Sequence, residues 1–432
     1  MADSKQLRPS IDFRFRDRER SLRSLKRNRE AGQTLVFVAL GMVLLGAALG
    51  LALDLGYMRL SKRQMQTAVD SAAIAGAAEI NYGDVTAAAE ADAASNGFTN
   101  GVNGVTVTVN SPPASGPNEG KPGYVEVLIS KTQPTFFIRI VPGGANTSTV
   151  QARAVAYLGN AKGCIYTLDP SPGAITMGTA GRRGGNVDLA AVNCAIIDNG
   201  DLTLFGRADT LSASAIGVAG TVRDGRSNVT PAPVQGMISA SDPLAFLPTQ
   251  NPGSCNFTNT SINSGNRVLT QGVYCGGLMI SGSASVTFTP GLYTLTPQGS
   301  VNNGLVINSS GNVTGNGVTF YNAASSASVS ITSSGTVSLT APTSGNYAGI
   351  LIFQDPANQS PATVDGGTNP NFEGALYFPN VNSTLTIDDI GSAAAYTIVV
   401  AGSLDIRGNN SFNSDYSSLS SGSPIKDAVL VE

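Results

Sequence analysis

Residues 31–53 read AGQTLVFVALGMVLLGAALGLAL, 23 consecutive positions without a charged side chain. Wound as a helix at about 1.5 Å per residue, the run reaches about 34 Å, enough to cross a hydrocarbon core of about 30 Å with some tilt. A helix in a soluble core seldom stays uncharged on every face for that length. The run also exceeds the apolar region of a cleaved signal peptide, about 7–15 residues. No small-x-small cleavage site precedes the next charges, so a retained single-pass anchor is expected.

Orientation follows from the basic residues beside each end. Arg14, Arg16, Arg18, Arg20, Arg23, Lys26, Arg27 and Arg29 precede the span, while Arg59, Lys62 and Arg63 follow it. Lys and Arg are retained in the cytoplasm, so residues 1–30 are expected inside and everything past Asp54 exported. Residues 1–63 carry 13 basic and 6 acidic groups, the rest of the chain 13 and 23. An exported part so acidic and sparsely charged is not a nucleic-acid binder. The basic tail could serve nucleic acid, but its place beside a membrane already accounts for it. Gly46 and Gly50 form a GxxxG pair inside the span, a spacing that lets transmembrane helices approach closely. Two readings stand: lateral association of the anchor, or the small residues common in any anchor.

No Gly/Pro cluster follows the span. DLGYMRLSKRQMQTAVDSAAIAGAAEI, residues 54–80, has helix-forming composition, and Leu55, Met58, Met65, Val69, Ala72, Ala73 and Ala77 can share one stripe. Asn81-Tyr82-Gly83 reads as a break, and DVTAAAEADAASNGF as a second helix ending near Asn96-Gly97. Strands are expected at Val105–Val109, Tyr124–Ser130 and Val150–Leu158, which makes residues 54–158 a small α+β module.

These residues carry a resemblance. A Gly at the start of the apolar region (Gly32), the span itself, Asp54-Leu55-Gly56, and then MQTAVDSAAIAGA from Met65 to Ala77 resemble the TadE/TadG-like Flp pilus-assembly proteins. YVEVLISKTQPTFF and VQARAVAYL continue the likeness, which covers about residues 28–160. It implies a bitopic bacterial inner-membrane protein whose partners are the bilayer and other pilus-assembly membrane proteins or pseudopilins. Two departures stand out. Processed pilin-like members present a Glu five residues after the cleaved Gly, where this chain has Phe37. The D-x-S-x-S metal loop of a von Willebrand A domain is not reproduced by Asp169-Pro170-Ser171-Pro172-Gly173.

From residue 159 the character changes. Short β-branched clusters such as ITM at 175, LTL at 202, VSI at 329, VSL at 337 and ILIF at 350 recur among Gly, Asn, Ser and Thr. Such strands with Asn/Gly corners suit a parallel β-helix over residues 159–432, with a β-sandwich or jelly roll as the alternative. Cys164, Cys194, Cys255 and Cys275 all lie beyond the anchor, where an oxidising compartment favours disulfides over free thiols. Three pairings are open. The sequential one closes loops of about 30 and 20 residues, each worth about 3 kcal/mol.

The chain has no His and no Trp. That excludes Ser-His-Asp and Cys-His nucleophiles and imidazole-bound metals. GRRGGN, residues 181–186, lacks the Lys-Ser/Thr of a phosphate loop. Among carboxylates, Asp388-Asp389 would need a third from Asp355, Asp365 or Glu373 to make an acid/base pair, since adjacent strand residues face opposite ways. Corner capping is the competing use. Asp198, Asp201 and Asp209 lack calcium-loop spacing. The expectation is therefore a non-enzymatic structural component without a cofactor, against the alternative of a membrane-tethered β-helix protein that binds or cleaves polysaccharide.

Overall fold

The computed structural model describes residues 16–80, 83–140, 142–178, 187–206, 208–224, 227–298, 303–390 and 393–432. Half of the basic tail, the Asn81-Tyr82 break and the GRRGGN stretch lie outside the described residues. The chain divides into two units, Met1–Tyr157 with Ala428–Glu432, and Leu158–Asp427.

In the first unit one helix, α1 (Arg16–Ala78), contains the apolar span and the Ala-rich segment without interruption. The apolar side chains from Leu35 to Leu53 stand exposed, Leu44 at 71%, a surface suited to lipid rather than water. Past Asp54 the helix changes partner. Met65, Ala68, Val69, Ala72, Ala73 and Ala77 are fully buried, with Met58 packed beside them. Leu55, expected in the same stripe, is 46% exposed, since it stands nearer the span than the sheet reaches. A second helix, α2 (Val85–Ser95), is capped by Asp84, whose side chain accepts the Thr86 and Ala87 N–H groups. It ends at Asn96 and Gly97, where a φ of 89° favours glycine. The two helices meet at Gly76, where an added Cβ would lie 3.3 Å from Ala89 Cβ and 3.2 Å from Val125 Cγ1.

The helices lie on an antiparallel sheet of β1 (Val105–Asn110), β2 (Tyr124–Pro134) and β3 (Thr147–Asn160). All three strands begin and end within a few residues of the expected limits. A fourth strand on the far side of β3 comes from the C-terminus, Lys426–Leu430. This corrects the expected boundary, which placed residues up to 432 in the β-rich domain. A parallel or antiparallel partner for β3 cannot be chosen by local pattern, and the last five residues join the first unit by backbone pairing. Val155 and Glu432 are bonded through Val155 N–H at 2.9 Å, and Val431 N–H reaches the Val155 carbonyl at 2.8 Å.

The second unit is β-rich, and its named strand pairs are parallel among the described residues. One ladder runs through Leu305–Ser309, Val329–Thr332, Ala362–Asp365, Thr384–Asp388 and Ser403–Arg407, then Ile175–Met177 and Leu202–Leu204. A second runs through Gly291–Thr296, Val318–Asn322, Ile350–Gln354, Asn371–Phe378 and Thr397–Ala401, then Gly163–Thr167 and Asp188–Asp198. A third includes Ser285–Phe288, Val313–Asn316 and Val337–Thr340. A sandwich built of hairpins would need antiparallel neighbours instead.

Chain order and spatial order differ. Strands from residues 397–407 lie against strands from residues 163–177. The chain thus begins mid-stack, builds outward to Val234–Gln235, and resumes at the opposite end with Phe257–Ile262. Residues 236–256 make the return along the second ladder. Leu244 is buried there, Asp242 accepts the Tyr377 hydroxyl at 2.6 Å, and the Pro248 carbonyl accepts that of Tyr347 at 2.6 Å. Covered on both faces, strands of this ladder are continuous apolar runs such as ILIFQ and TIVVA, buried at every position. VSIT and VSLT in the other ladders alternate buried positions with half-buried or exposed ones. Inside, aromatic rings form a column: Phe257 on Tyr274 at 4.6 Å, Tyr274 on Tyr293 at 5.8 Å, Tyr293 on Phe320 at 5.4 Å.

Candidate functional site

The point where α1 leaves the apolar span is the most specifically built place in the first unit. Asp54, the first charge after the span, is 2% exposed. Its carboxylate accepts three successive backbone N–H groups, from Phe136 at 3.0 Å, Phe137 at 2.8 Å and Ile138 at 2.7 Å. Those amides open a single 3-10 turn, Ile138–Ile140, and unpaired N–H groups at a helix start are a ready seat for an anion. Hydrogen bonds to a charged acceptor are worth about 1.5–3 kcal/mol each, enough to fasten a loop to the helix. Thr135 supports the loop from the other side, its N–H bonded to the Asn146 carbonyl at 3.0 Å.

Aromatic contacts complete the clasp. Tyr57 and Phe136 meet edge to face with centroids 6.0 Å apart. Phe137 lies over Gly50 so closely that a Cβ there would come within 2.6 Å of its ring. Only glycine fits. Gly46 and Gly50, expected to pack against another transmembrane helix, have different surroundings in this chain. The face at Gly50 is filled by this chain's own Phe137, whereas Gly46 has no neighbour within 4 Å. Sequence reasoning missed the Asp54 clasp. Its signal was an Asp placed at the edge of an uncharged span and an apolar TFFI run directly after a strand.

A second missed cluster lies in the sheet. Glu126, 1% exposed, accepts from Ser115 Oγ at 2.6 Å, Asn110 Nδ2 at 2.8 Å, Ala114 N–H at 3.0 Å and Arg153 Nε at 2.6 Å. Arg153 also pairs with Glu432 at the end of the returning strand. Burial by itself would raise the Glu126 carboxyl, but these donors override it and hold it at about 2.

The cysteines are paired in sequence order, Cys164 with Cys194 and Cys255 with Cys275, each with Cα atoms 5.6 Å apart. The first bridge joins the neighbouring strands Gly163–Thr167 and Asp188–Asp198, and the second ties Cys255, just before Phe257–Ile262, to the strand Gly272–Gly282. The acidic candidates are spread over corners. Asp389 Oδ1 accepts Asn409 N–H at 2.7 Å, Asp365 accepts Gly367 N–H at 3.0 Å, and Asp355 accepts Ala357 N–H at 2.9 Å. Glu373 takes the Ala395 N–H at 3.3 Å, and Asp169 the Ser171 N–H at 2.9 Å. Asp201 holds Thr221 N–H and Asp209 holds Gly206 N–H. The structure does bring Asp388 near Asp365, Asp389 and Asp405, and its carboxyl is raised, by burial first and then by these neighbours. Asp198 is raised chiefly by burial, although Thr167 and the Gly200 N–H bond to it. Among the described residues no three such groups are arranged to hold a metal ion.

Asp54 and the Ala-rich stripe both lie on one segment that matches a known family model. Residues 32–79 match the Tad family model, Flp pilus-assembly TadE/G-like. The TadE/G-like segment therefore comprises the span, Asp54 and the buried Ala stripe down to the Gly76 crossing. No curated protein and no solved structure matches the chain.

Proposed function

We propose that the protein is a non-enzymatic, membrane-anchored component of a bacterial Flp pilus or a related envelope assembly. Residues 1–30 would stay in the cytoplasm, α1 would cross the inner membrane once, and both units past Asp54 would be exported. The carrying observation is that the TadE/G-like match coincides with one helix that is lipid-suited above Asp54 and sheet-packed below it. The arginine-rich tail and two disulfides beyond the span support the direction. The β-rich unit is read as a parallel β-helix serving as an interaction surface. The corner-capping carboxylates Asp389, Asp365 and Asp355 support a scaffold over a polysaccharide-cleaving enzyme, because each of these three is engaged by a backbone donor.

Deleting the gene should abolish surface filaments, with recovery on expression of the full chain. Filaments unchanged in the deletion strain would overturn the assembly role. Protease added to spheroplasts should digest the part beyond Asp54, and protection of that part would overturn the orientation. For the β-helix, Thr287 and Thr314 are register neighbours with hydroxyls 3.3 Å apart. A T287C/T314C pair should cross-link on oxidation, and failure would count against parallel stacking.

A further inference from the structure

The clasp at Asp54 presents more apolar surface than a fastening needs. In the six residues Thr135–Ile140, Phe136 is 49% exposed, Phe137 41% and Ile140 72%. Three large apolar side chains on one short loop are costly in water, and such patches mark contact with a partner or a membrane. The loop's position identifies which. Phe137 rests on Gly50, three residues inside the end of the uncharged span, and at about 1.5 Å per residue that is about 4.5 Å of depth. Tyr57, 44% exposed, adjoins Phe136 on the outer side. The exposed apolar surface of the loop is thus continuous with the exposed apolar surface of the span, and one solvent must accommodate both. Aromatic rings with a nearby basic side chain are the residue types that settle at the boundary between hydrocarbon and headgroups, and Arg139 is exposed on the same turn.

We propose that residues 135–140 form a second membrane contact, dipping Phe136, Phe137 and Ile140 into the outward-facing leaflet that α1 crosses. Asp54 is the positioning residue. By neutralising the three amides it lets backbone approach the hydrocarbon edge without unpaired N–H groups, which lipid would penalise. Two points of attachment, helix and loop, fix the tilt of the sheet of the first unit against the bilayer. The proposal rests on reading α1 as a transmembrane anchor.

The chain contains no Trp, so a single introduced Trp is an unambiguous reporter. The full chain is reconstituted in phosphatidylglycerol/phosphatidylethanolamine vesicles as I140W, with L44W as a mid-span control and V268W as an exposed control in the other unit. In I140W we expect blue-shifted emission, and a share lost to lipids brominated near the headgroup comparable with the share L44W loses to lipids brominated deeper. Iodide in the aqueous phase should quench V268W and leave I140W largely unaffected. Adding Asp54→Asn to I140W should return its emission toward that of V268W. I140W emission that is red and iodide-quenched while L44W remains lipid-quenched overturns the loop contact and leaves the anchor standing. Blue-shifted I140W emission untouched by brominated lipid assigns the patch to a protein partner and likewise overturns the proposal. Loss of lipid quenching in L44W overturns the anchor, and the loop contact with it.

Discussion

The helix–sheet unit and the parallel unit bury their cores by opposite means. Where α1 and α2 meet their sheet, most of the buried helix positions are alanines, Ala68, Ala72, Ala73, Ala77, Ala89 and Ala93, beside Met65 and Val69, with Gly76 at the helix crossing. Backbones approach closely there and side chains contribute little bulk. In the parallel unit the fully buried set is led by Tyr274, Tyr293, Phe288, Phe320, Phe353 and Phe372, filling the space between ladders. One core tolerates no addition, and the other no removal. The difference follows from geometry. A helix laid on a sheet needs small residues to come close, whereas stacked strands fix a wide interior that only large side chains can occupy.

Mutations of opposite kinds separate the two. Phe320→Ala, at the end of the aromatic column and fully buried, should cost the parallel unit about 3–5 kcal/mol, read as faster hydrogen exchange across its ladders while peptides of α1 past Asp54 keep their protection. Equal loss in both units would show a single cooperative body and end the comparison. Removing the Cys164–Cys194 bridge by C164S/C194S should cost about 3 kcal/mol in the same unit, given a separation of 30 residues, and abolish part of the mobility change on a non-reducing gel. Ala72→Leu reverses the sign of the volume change. At a fully buried position it should destabilise the helix–sheet unit by about 2 kcal/mol and leave the ladders protected.

The smallest effect is a pH dependence confined to the helix–sheet unit. Glu126 sits at about 2 when folded, below its ordinary value of 4.5. Its hydrogen bonds to ionised oxygen therefore stabilise fully above about pH 4.5, and that contribution fades as the pH falls toward 2. Glu126→Gln should lower stability at neutral pH by about 1 kcal/mol and flatten this acid limb. An unaltered acid limb would show that Arg153 and Ser115 do not govern the titration.

Legibility differed as much as packing did. α1, α2 and the strands of the first unit could be read closely because each is a run with its own period or cap. Asp84 and Gly97 mark the ends of α2, and the uncharged span announces itself. The Asp54 clasp was not readable, since its donors lie more than eighty residues away at Phe136 to Ile138. The same limit hid the stack's order. VSIT and TIVVA advertise strands, yet nothing in them shows that Thr397–Ala401 lies beside Gly163–Thr167.

Hydropathy and periodicity are properties of neighbouring residues, so the chain alone determined the span, its charge asymmetry, the helices and the short strands. Pairing is a choice among distant segments with nearly equal local chemistry. Only the tertiary structure decided the mid-stack start, the returning C-terminal strand, the cysteine partners and the fastening of a greasy loop to Asp54. Each of those choices was settled by which distant backbone groups and side chains could be satisfied together.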